Sequence, residues 1–270
     1  MKEYKVGDEI ETLQGYKVTI VDIVKSSKPK GSNNPFDYTV QFENGLELFN
    51  ITQKLIDNRN IQYPFHPTVF GVGYIGVGKY TSTTKDSYRS TAKGLSKAYA
   101  TWQGMLGRCY CPIVQKRQPT YKGDTVHPYW HNYQNYAKWF YGNYVEGFGI
   151  SKNIFYKKCT VYSEKTCCFV PMDISNAFIK RKTNKSHLPI GVDMSSKTKF
   201  SSSITTIKYT KDGVVHNTEF FGTFDVVEDA FIPYKQAKEK QLRYYASFWK
   251  DLLKPDVQEA LRNHKVEIDD

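Results

Sequence analysis

The chain has 270 residues, of which 40% are hydrophobic, so it is long enough for two or three compact units and too apolar for wholesale disorder. Lys and Arg outnumber Asp and Glu by 38 to 27, and the resulting formal charge of +11 favours binding to a polyanion such as nucleic acid. A basic protein without a specific partner is the alternative that charge alone leaves open. No apolar run approaches the length of a membrane span, and no secretory leader is recognisable at the N-terminus.

The five cysteines indicate reduced thiols in a cytoplasmic setting, because their number is odd and no leader is expected. They include no C-x-x-C pair, so a zinc knuckle is not expected. We interpret them as packing residues, with a metal cluster as the alternative. They are Cys109, Cys111, Cys159, Cys167 and Cys168.

Residues 1–80 are rich in short strand patterns. Residues 17–24 and 38–42 alternate β-branched and aromatic residues with polar ones, and a Glu-Asn-Gly turn at 43–45 leads into a further strand at 46–51. Residues 26–35 have the composition of a loop. The pattern predicts a small β-barrel domain.

Residues 71–78 contain the spacing G-x-G-x-x-G, which in dinucleotide-binding proteins opens a helix. The residues that follow, Lys79-Tyr80-Thr-Ser-Thr-Thr, have no helical period. We therefore interpret the glycines as a closely packed linker and expect no nucleotide cofactor.

Residues 81–180 are predicted to form a second domain. Apolar residues at helical spacing indicate helices at 95–106 and 132–144, separated by a loop at 112–128. Short strands at 154–156 and 167–170 and a helix from Asp173 complete a β-β-α order of elements.

Residues 181–250 are predicted to form a three-stranded sheet backed by one helix. Residues 199–209 alternate so that Ser202 and Ile204 lie on one face and mainly hydroxyl and amine groups lie on the other. A Lys-Asp-Gly turn and a second strand follow, and then a helix with acidic residues in its first turn and Pro233 inside it, where a kink or an early end is expected. The overall fold class is therefore predicted to be α+β and multi-domain, with residues 251–270 as a tail.

This module contains Gly191-Val192, the run Phe-Gly-Thr-Phe-Asp at 221–225, Glu228, Ala230 and Tyr234. In these short stretches it resembles the AP-two or ethylene-response-factor type of DNA-binding domain. The resemblance implies that the sheet reads the major groove of double-stranded DNA. The sheet of that family is rich in Arg and Trp, whereas the matching residues here are mostly Ser, Thr and Phe, so the target sequence is not predictable. The implied DNA contacts are Lys197, Lys199, Ser203, Thr205, Thr218 and Phe220. A basic strip before the module is expected to follow the phosphate backbone or, alternatively, to be a solvated charge run. It comprises Lys180, Arg181, Lys182 and Lys185.

Most of the chain also resembles phage HNH homing endonucleases that carry such a domain. The resemblance rests on Tyr99-x-x-Trp102-x-x-Met105-Leu106-x-Arg108-Cys109-Tyr110, on Val161-Tyr162-Ser163 and on 167–171. It implies a divalent cation held by Leu-Asp-Lys-Asp on the first strand and Ile-Asn on the helix. The matching residues here are Ser151, Asn153 and Ser175, which lack the two acids and the helix Asn. Neutral side chains without a carboxylate are poor ligands for a hard cation.

No other residues clearly restore a catalytic site. His127 and His131 are spaced by four, but Pro128 lies between them and no Glu follows the first, so they are interpreted as a polar helix start. The expected function is sequence-specific binding of double-stranded DNA without cleavage, as a phage or phage-satellite repressor in the bacterial cytoplasm. An active HNH endonuclease that uses Mg²⁺ or another divalent cation is the alternative. No other cofactor and no membrane association are expected, and a homodimer is left open.

Overall fold

The structure is a computed structural model that describes residues 3–26, 35–84, 94–178 and 188–270. The chain divides into two compact units, Met1–Lys79 and Tyr80–Asp270. The chain contains helices as well as several sheets, so the prediction of the α+β class is confirmed. None of the helices in these ranges combines the length and the apolar composition that a membrane crossing requires.

The first unit is an open antiparallel sheet, so the predicted β-barrel is wrong. Its strands pair in chain order, and in the described residues the first and last strands form no ladder with each other. Closure requires every strand to pair on both edges, and the first strand has only three residues. Its elements are β1 (Glu9–Glu11), β2 (Lys17–Lys25), β3 (Phe36–Phe42), β4 (Glu47–Thr52) and a short helix α1 (Gln53–Asp57).

The glycines at 71–78 lie in turns next to an isolated bridge between Val69 and Gly73, and no helix opens on them. A phosphate-binding loop of the dinucleotide type needs a helix N-terminus at that point. The helix that the dinucleotide fingerprint requires is therefore not present at this point, and the linker interpretation stays a prediction.

The second unit begins with a helical layer rich in aromatic residues. The predicted helices are confirmed as α2 and α4, and they meet where the ring of the buried Trp102 lies 5.4 Å from the ring of Tyr133. The indole nitrogen of Trp102 also donates to the carbonyl of Trp130, just before α4, at 2.6 Å. The interval predicted as loop contains a short helix and a two-residue strand. These elements are α2 (Lys97–Tyr110), α3 (Pro112–Arg117), β5 (Thr125–Val126) and α4 (Tyr133–Asn143).

The predicted β-β-α order is present, but its first strand lies earlier than 154–156. Ile154 is buried in the core without belonging to a strand, which explains the apolar pattern that suggested one. The strands β6 and β8 pair antiparallel, and β7 pairs parallel with β5. The elements are β6 (Gly149–Ser151), β7 (Val161–Tyr162), β8 (Cys168–Val170) and α5 (Met172–Ala177).

A three-stranded sheet and two helices complete the second unit. The sheet has the order β11-β10-β9, and the longer helix continues through Pro233 to Phe248 because apolar residues on both sides of the proline are buried. Residues 251–270, expected as a tail, include a helix whose Val257 and Leu261 are buried. The elements are β9 (Val192–Met194), β10 (Phe200–Thr210), β11 (Gly213–Phe224), α6 (Val227–Phe248) and α7 (Pro255–Asn263).

One hydrophobic core joins the segments that were predicted as separate central and C-terminal domains. Ile154, Val170 and Ile174 of the central segment share it with Leu242 and Leu261 of α6 and α7. Burial of these side chains holds the β-β-α elements against the helix that supports the sheet. The division of this unit near residue 180 stays a prediction.

Candidate nucleic-acid interface

The hairpin of β10 and β11 has one covered face and one exposed face. Ser202 and Ile204 are buried beneath the sheet, where Ile204 packs with Phe231 and Tyr234 of α6. The alternation predicted for this strand is therefore confirmed at these positions. The residues of the opposite face pair directly across the two strands, Ser203 with Phe220 and Thr205 with Thr218.

These cross-strand pairs bring four of the predicted DNA contacts together. The hydroxyl oxygens of Thr205 and Thr218 are 2.9 Å apart, and both side chains are exposed. Phe220 is 64% exposed, which is unusual for a large apolar side chain on a strand. The exposed face thus offers adjacent hydroxyl groups and one aromatic ring to an external partner.

The two predicted lysine contacts of the sheet have different surroundings. Lys197 is exposed in the loop before β10. Lys199 forms an ion pair with Asp225 at 3.0 Å, and both side chains are more than half exposed. The sequence pattern places Asp225 in the Phe-Gly-Thr-Phe-Asp run and at the start of the following helix, and does not pair it with Lys199. The ion pair reduces the free positive charge at Lys199.

Side chains of α6 satisfy the unpaired edge of β10. β9 pairs only with residues 200–202, so the backbone of the later part of β10 needs other partners. The side-chain amide of Gln241 donates to the carbonyl of Ile207 at 2.8 Å and accepts from its N–H at 3.3 Å. The amide of Tyr209 donates to the Tyr244 hydroxyl at 2.9 Å. The helix therefore fixes the far end of the hairpin as well as its covered face.

The positive charge of the protein is concentrated in the central segment. Residues 80–187 contain 17 Lys and Arg against 5 Asp and Glu, whereas residues 1–79 and 188–270 are close to neutral. Within the described ranges, the exposed cations Lys116, Arg117 and Lys122 near α3 have no ion-pair partner. The sheet thus belongs to one compact unit with a strongly basic segment.

The basic strip lies outside the described residues. Lys180, Arg181, Lys182 and Lys185 all fall between Phe178 and Leu188. Their predicted role at the phosphate backbone stays a prediction.

The three positions that match the nuclease motif are brought together. Ser151 ends β6, Asn153 follows it and Ser175 lies on α5, and all three line one cavity of about 620 Å³. This cavity lies between the β-β-α elements, α6 and the residues that follow α7. None of these three side chains is an acid, and the nuclease resemblance stays a prediction.

Asp124 is the carboxylate that the central segment contributes to the cavity, and sequence reasoning did not single it out. Its Oδ2 lies 3.2 Å from Nζ of Lys152, and both side chains are almost fully buried, at 6% and 11% exposure. Burial raises the pKa of Asp124, and the nearby Lys152 opposes that rise. Lys152 also donates to the carbonyl of Cys159 and lies over the ring of Tyr162 at 5.6 Å.

The surroundings of Asp124 do not fit a divalent cation. A metal at this carboxylate would stand beside the buried ammonium of Lys152, which already supplies the compensating charge. In the described ranges, no three His, Cys, Asp or Glu side chains come together as a group that could hold a metal. We therefore derive no cleavage step through a metal.

The buried thiols of Cys109 and Cys167 and the rings of His127 and His131 pack within the fold or contact nearby backbone. Burial raises the pKa of Cys109 and of Cys167 to about 12, so both are protonated thiols at neutral pH. Nδ1 of His127 accepts from the amide of Tyr129 at 3.2 Å and so begins a short 3-10 helix. Nε2 of His131 lies 3.0 Å from the carbonyl of Val126. The histidines thus support the local backbone, as the sequence interpretation expected.

Comparisons with known proteins do not add a relative. No protein-family model, no curated protein and no solved structure matches the chain.

Proposed function

We propose that the protein binds double-stranded DNA through the exposed face of β9, β10 and β11, without cleaving it. One observation carries the proposal: the hairpin buries Ser202 and Ile204 against α6 and leaves Thr205, Thr218 and Phe220 exposed. A supported ribbon whose outer face is rich in hydroxyl groups suits insertion into the major groove.

The side chains on this face suggest how bases would be read. A Thr hydroxyl both donates and accepts, so Thr205 and Thr218 can bind either a donor or an acceptor on a base edge. In the free protein the two hydroxyls are hydrogen-bonded to each other, and a base contact would replace that bond, which limits the free-energy cost of desolvating them. Phe220 offers an apolar surface to a thymine methyl group. The face lacks Arg, so we expect fewer bidentate contacts with guanine than in Arg-rich sheets.

The central segment would supply affinity that does not depend on sequence. Its 17 basic residues, against 5 acidic ones, would attract phosphates and release their counterions. Sequence preference would then arise at the sheet. A protein with these two properties acts by occupying a site, and we propose repression of a phage or phage-satellite promoter as its role.

The experiment begins with selection of bound duplexes from a library with a randomised centre. Thr205→Val with Thr218→Val removes two hydroxyl groups and keeps the β-branched shape. We expect this variant to lose roughly 10-fold or more in affinity for the selected site, at about 1–3 kcal/mol for the base contacts, with little change on random DNA. Thr206→Val is the matched control. It makes the same change in the same strand at a residue that is not a predicted DNA contact, because the Thr206 hydroxyl donates to the carbonyl of Asn217 within the hairpin.

Equal losses on selected and random DNA would contradict base reading by the sheet. The same binding reactions, run with Mg²⁺ or Mn²⁺ and then resolved on a denaturing gel, test the nuclease alternative. Defined cuts that a chelator abolishes would replace the repressor role with an active endonuclease.

A further inference from the structure

Two acidic residues near the end of the chain are paired with two adjacent lysines. Oδ2 of Asp270 lies 2.8 Å from Nζ of Lys157, and Oδ2 of Asp269 lies 2.7 Å from Nζ of Lys158. The residues are more than a hundred positions apart, so tertiary folding creates both contacts. The sequence pattern gave no indication of this pairing.

The paired lysines lie where the cavity of Ser151 and Asn153 opens to solvent. Lys157 and Lys158 line that cavity, together with the unpaired Arg117. Lys158 is 65% exposed and its partner Asp269 is 72% exposed. The cations that line the cavity thus include Arg117, Lys157 and Lys158, and carboxylates of the same chain balance the charge of the two lysines.

We propose that Lys157 and Lys158 form a second phosphate-binding site for DNA, which Asp269 and Asp270 occupy in the free protein. The proposal rests on the function proposed for the sheet. Carboxylate oxygens and phosphate oxygens accept the same charge-assisted hydrogen bonds from an ammonium group. A bound phosphodiester would thus take the places that the two Asp side chains hold.

The segment that bears these acids is anchored at Val266, and the two carboxylates differ in exposure. Asp269 is 72% exposed, whereas Asp270, which also accepts from the amide of Glu267, is 23% exposed. Val266 is buried, and its amide donates to Oε1 of Glu239 at 3.1 Å. Exposed ion pairs are weak because solvent screens them and ordering the side chains costs entropy. Release of Asp269 and Asp270 therefore leaves the anchor at Val266 intact.

Charge variants test the proposal on a random duplex. Asp269→Asn with Asp270→Asn removes the charges that balance both lysines, and we expect this variant to bind the duplex roughly 5-fold more tightly. The slope of log affinity against log salt concentration should steepen by the equivalent of about one to two phosphate contacts. Asp251→Asn with Glu259→Gln is the matched control, since it makes the same change in net charge at exposed residues away from the lysines. The control is expected to change affinity less and to leave the salt slope unaltered.

The lysine background separates a local effect from a general one. In Lys157→Gln with Lys158→Gln, neutralising Asp269 and Asp270 should have no further effect. An equal effect in both backgrounds, or an acid variant no different from its control, would overturn the proposal. Thermal unfolding midpoints of all variants should agree within about 2 °C, because solvent reaches both of the altered ion pairs and screens them.

The outcomes also distinguish this site from the sheet. Loss of site preference in the Thr205 and Thr218 variant, with no response to the acid variants, overturns only the second phosphate site. A response to the acid variants, with unchanged preference in the threonine variant, overturns only the sheet assignment. Absence of DNA binding at low salt in every variant overturns both.

Discussion

The hydroxyl of Tyr209 donates to Oδ2 of Asp173 at 3.1 Å and so ties the end of β10 to the first turn of α5. The ring of Tyr209 also stacks on Phe248 with centroids 4.3 Å apart. The candidate DNA-binding hairpin is thus attached to the helix that carries Ser175. Both contacts lie within the second compact unit and link the hairpin to the elements around the cavity that Ser151, Asn153 and Ser175 line.

Tyr209→Phe is expected to lower the free energy of unfolding by about 1 kcal/mol, because it removes one hydrogen bond and keeps the stacked ring. Burial raises the pKa of Tyr209 to about 12, so the hydroxyl is a donor throughout the neutral range. Denaturant unfolding at pH 7 measures the change. Tyr209→Leu, which also removes the stacking, should cost clearly more. Equal losses would show that the stacked ring contributes nothing, and unchanged stability of Tyr209→Phe would show the same of the hydrogen bond.

Gly191→Ala is expected to destabilise the second unit by at least about 3 kcal/mol. Gly191 has φ of +85°, and a Cβ atom there would lie 1.9 Å from Cδ2 of Tyr234. Thermal unfolding measures the loss. The variant that also carries Tyr234→Ala should not regain wild-type stability, because the positive φ and the cavity left by the ring remain.

Ser202→Ala is expected to raise the free energy of unfolding by about 1 kcal/mol. The Ser202 hydroxyl is fully buried and has no hydrogen-bond partner, so its removal ends a desolvation cost. Ser203→Ala on the exposed face is the control, and its stability should stay near that of the wild type. A destabilised Ser202→Ala would contradict the unpartnered state of the hydroxyl.

Lys152→Met is expected to cost about 3–5 kcal/mol at pH 7, because it removes the main compensating charge of the buried Asp124 carboxylate and leaves only the smaller contribution of Arg108. The pKa of Asp124 is already raised by burial, and removal of Lys152 raises it further. A carboxyl group whose pKa is higher in the folded state destabilises the fold at high pH, and that cost disappears as pH falls through the folded pKa. The difference from the wild type should therefore shrink on acidification, as pH-dependent urea unfolding measures.

Asp124→Asn in the Lys152→Met background is the control for that experiment. It removes the charge that the lysine compensates, so much of the stability should return at pH 7. A deficit that is independent of pH in Lys152→Met would instead indicate lost packing of the lysine stem.

The register of the hairpin shows where sequence reasoning ended. The two-residue turn between Thr210 and Gly213 sets Thr205 opposite Thr218, a pairing that follows from local patterning. A bulge near Ser202 then shifts the register by one residue, which brings Asp225 beside Lys199. The turn residues do not encode that bulge, because it lies at the opposite end of the hairpin from the turn.

The sequence by itself determined the amphipathic helices α2 and α4, the hairpin and its two faces, because each depends on the periodicity of nearby residues. Only the tertiary structure decided which distant groups meet. Three pairings depend on packing around one shared core. They are Asp124 with Lys152, Tyr209 with Asp173, and the acidic residues 269–270 with the lysines at 157–158. Local sequence patterns do not predict such contacts, because the contacting groups are brought together only when apolar surfaces far apart in the chain are buried together.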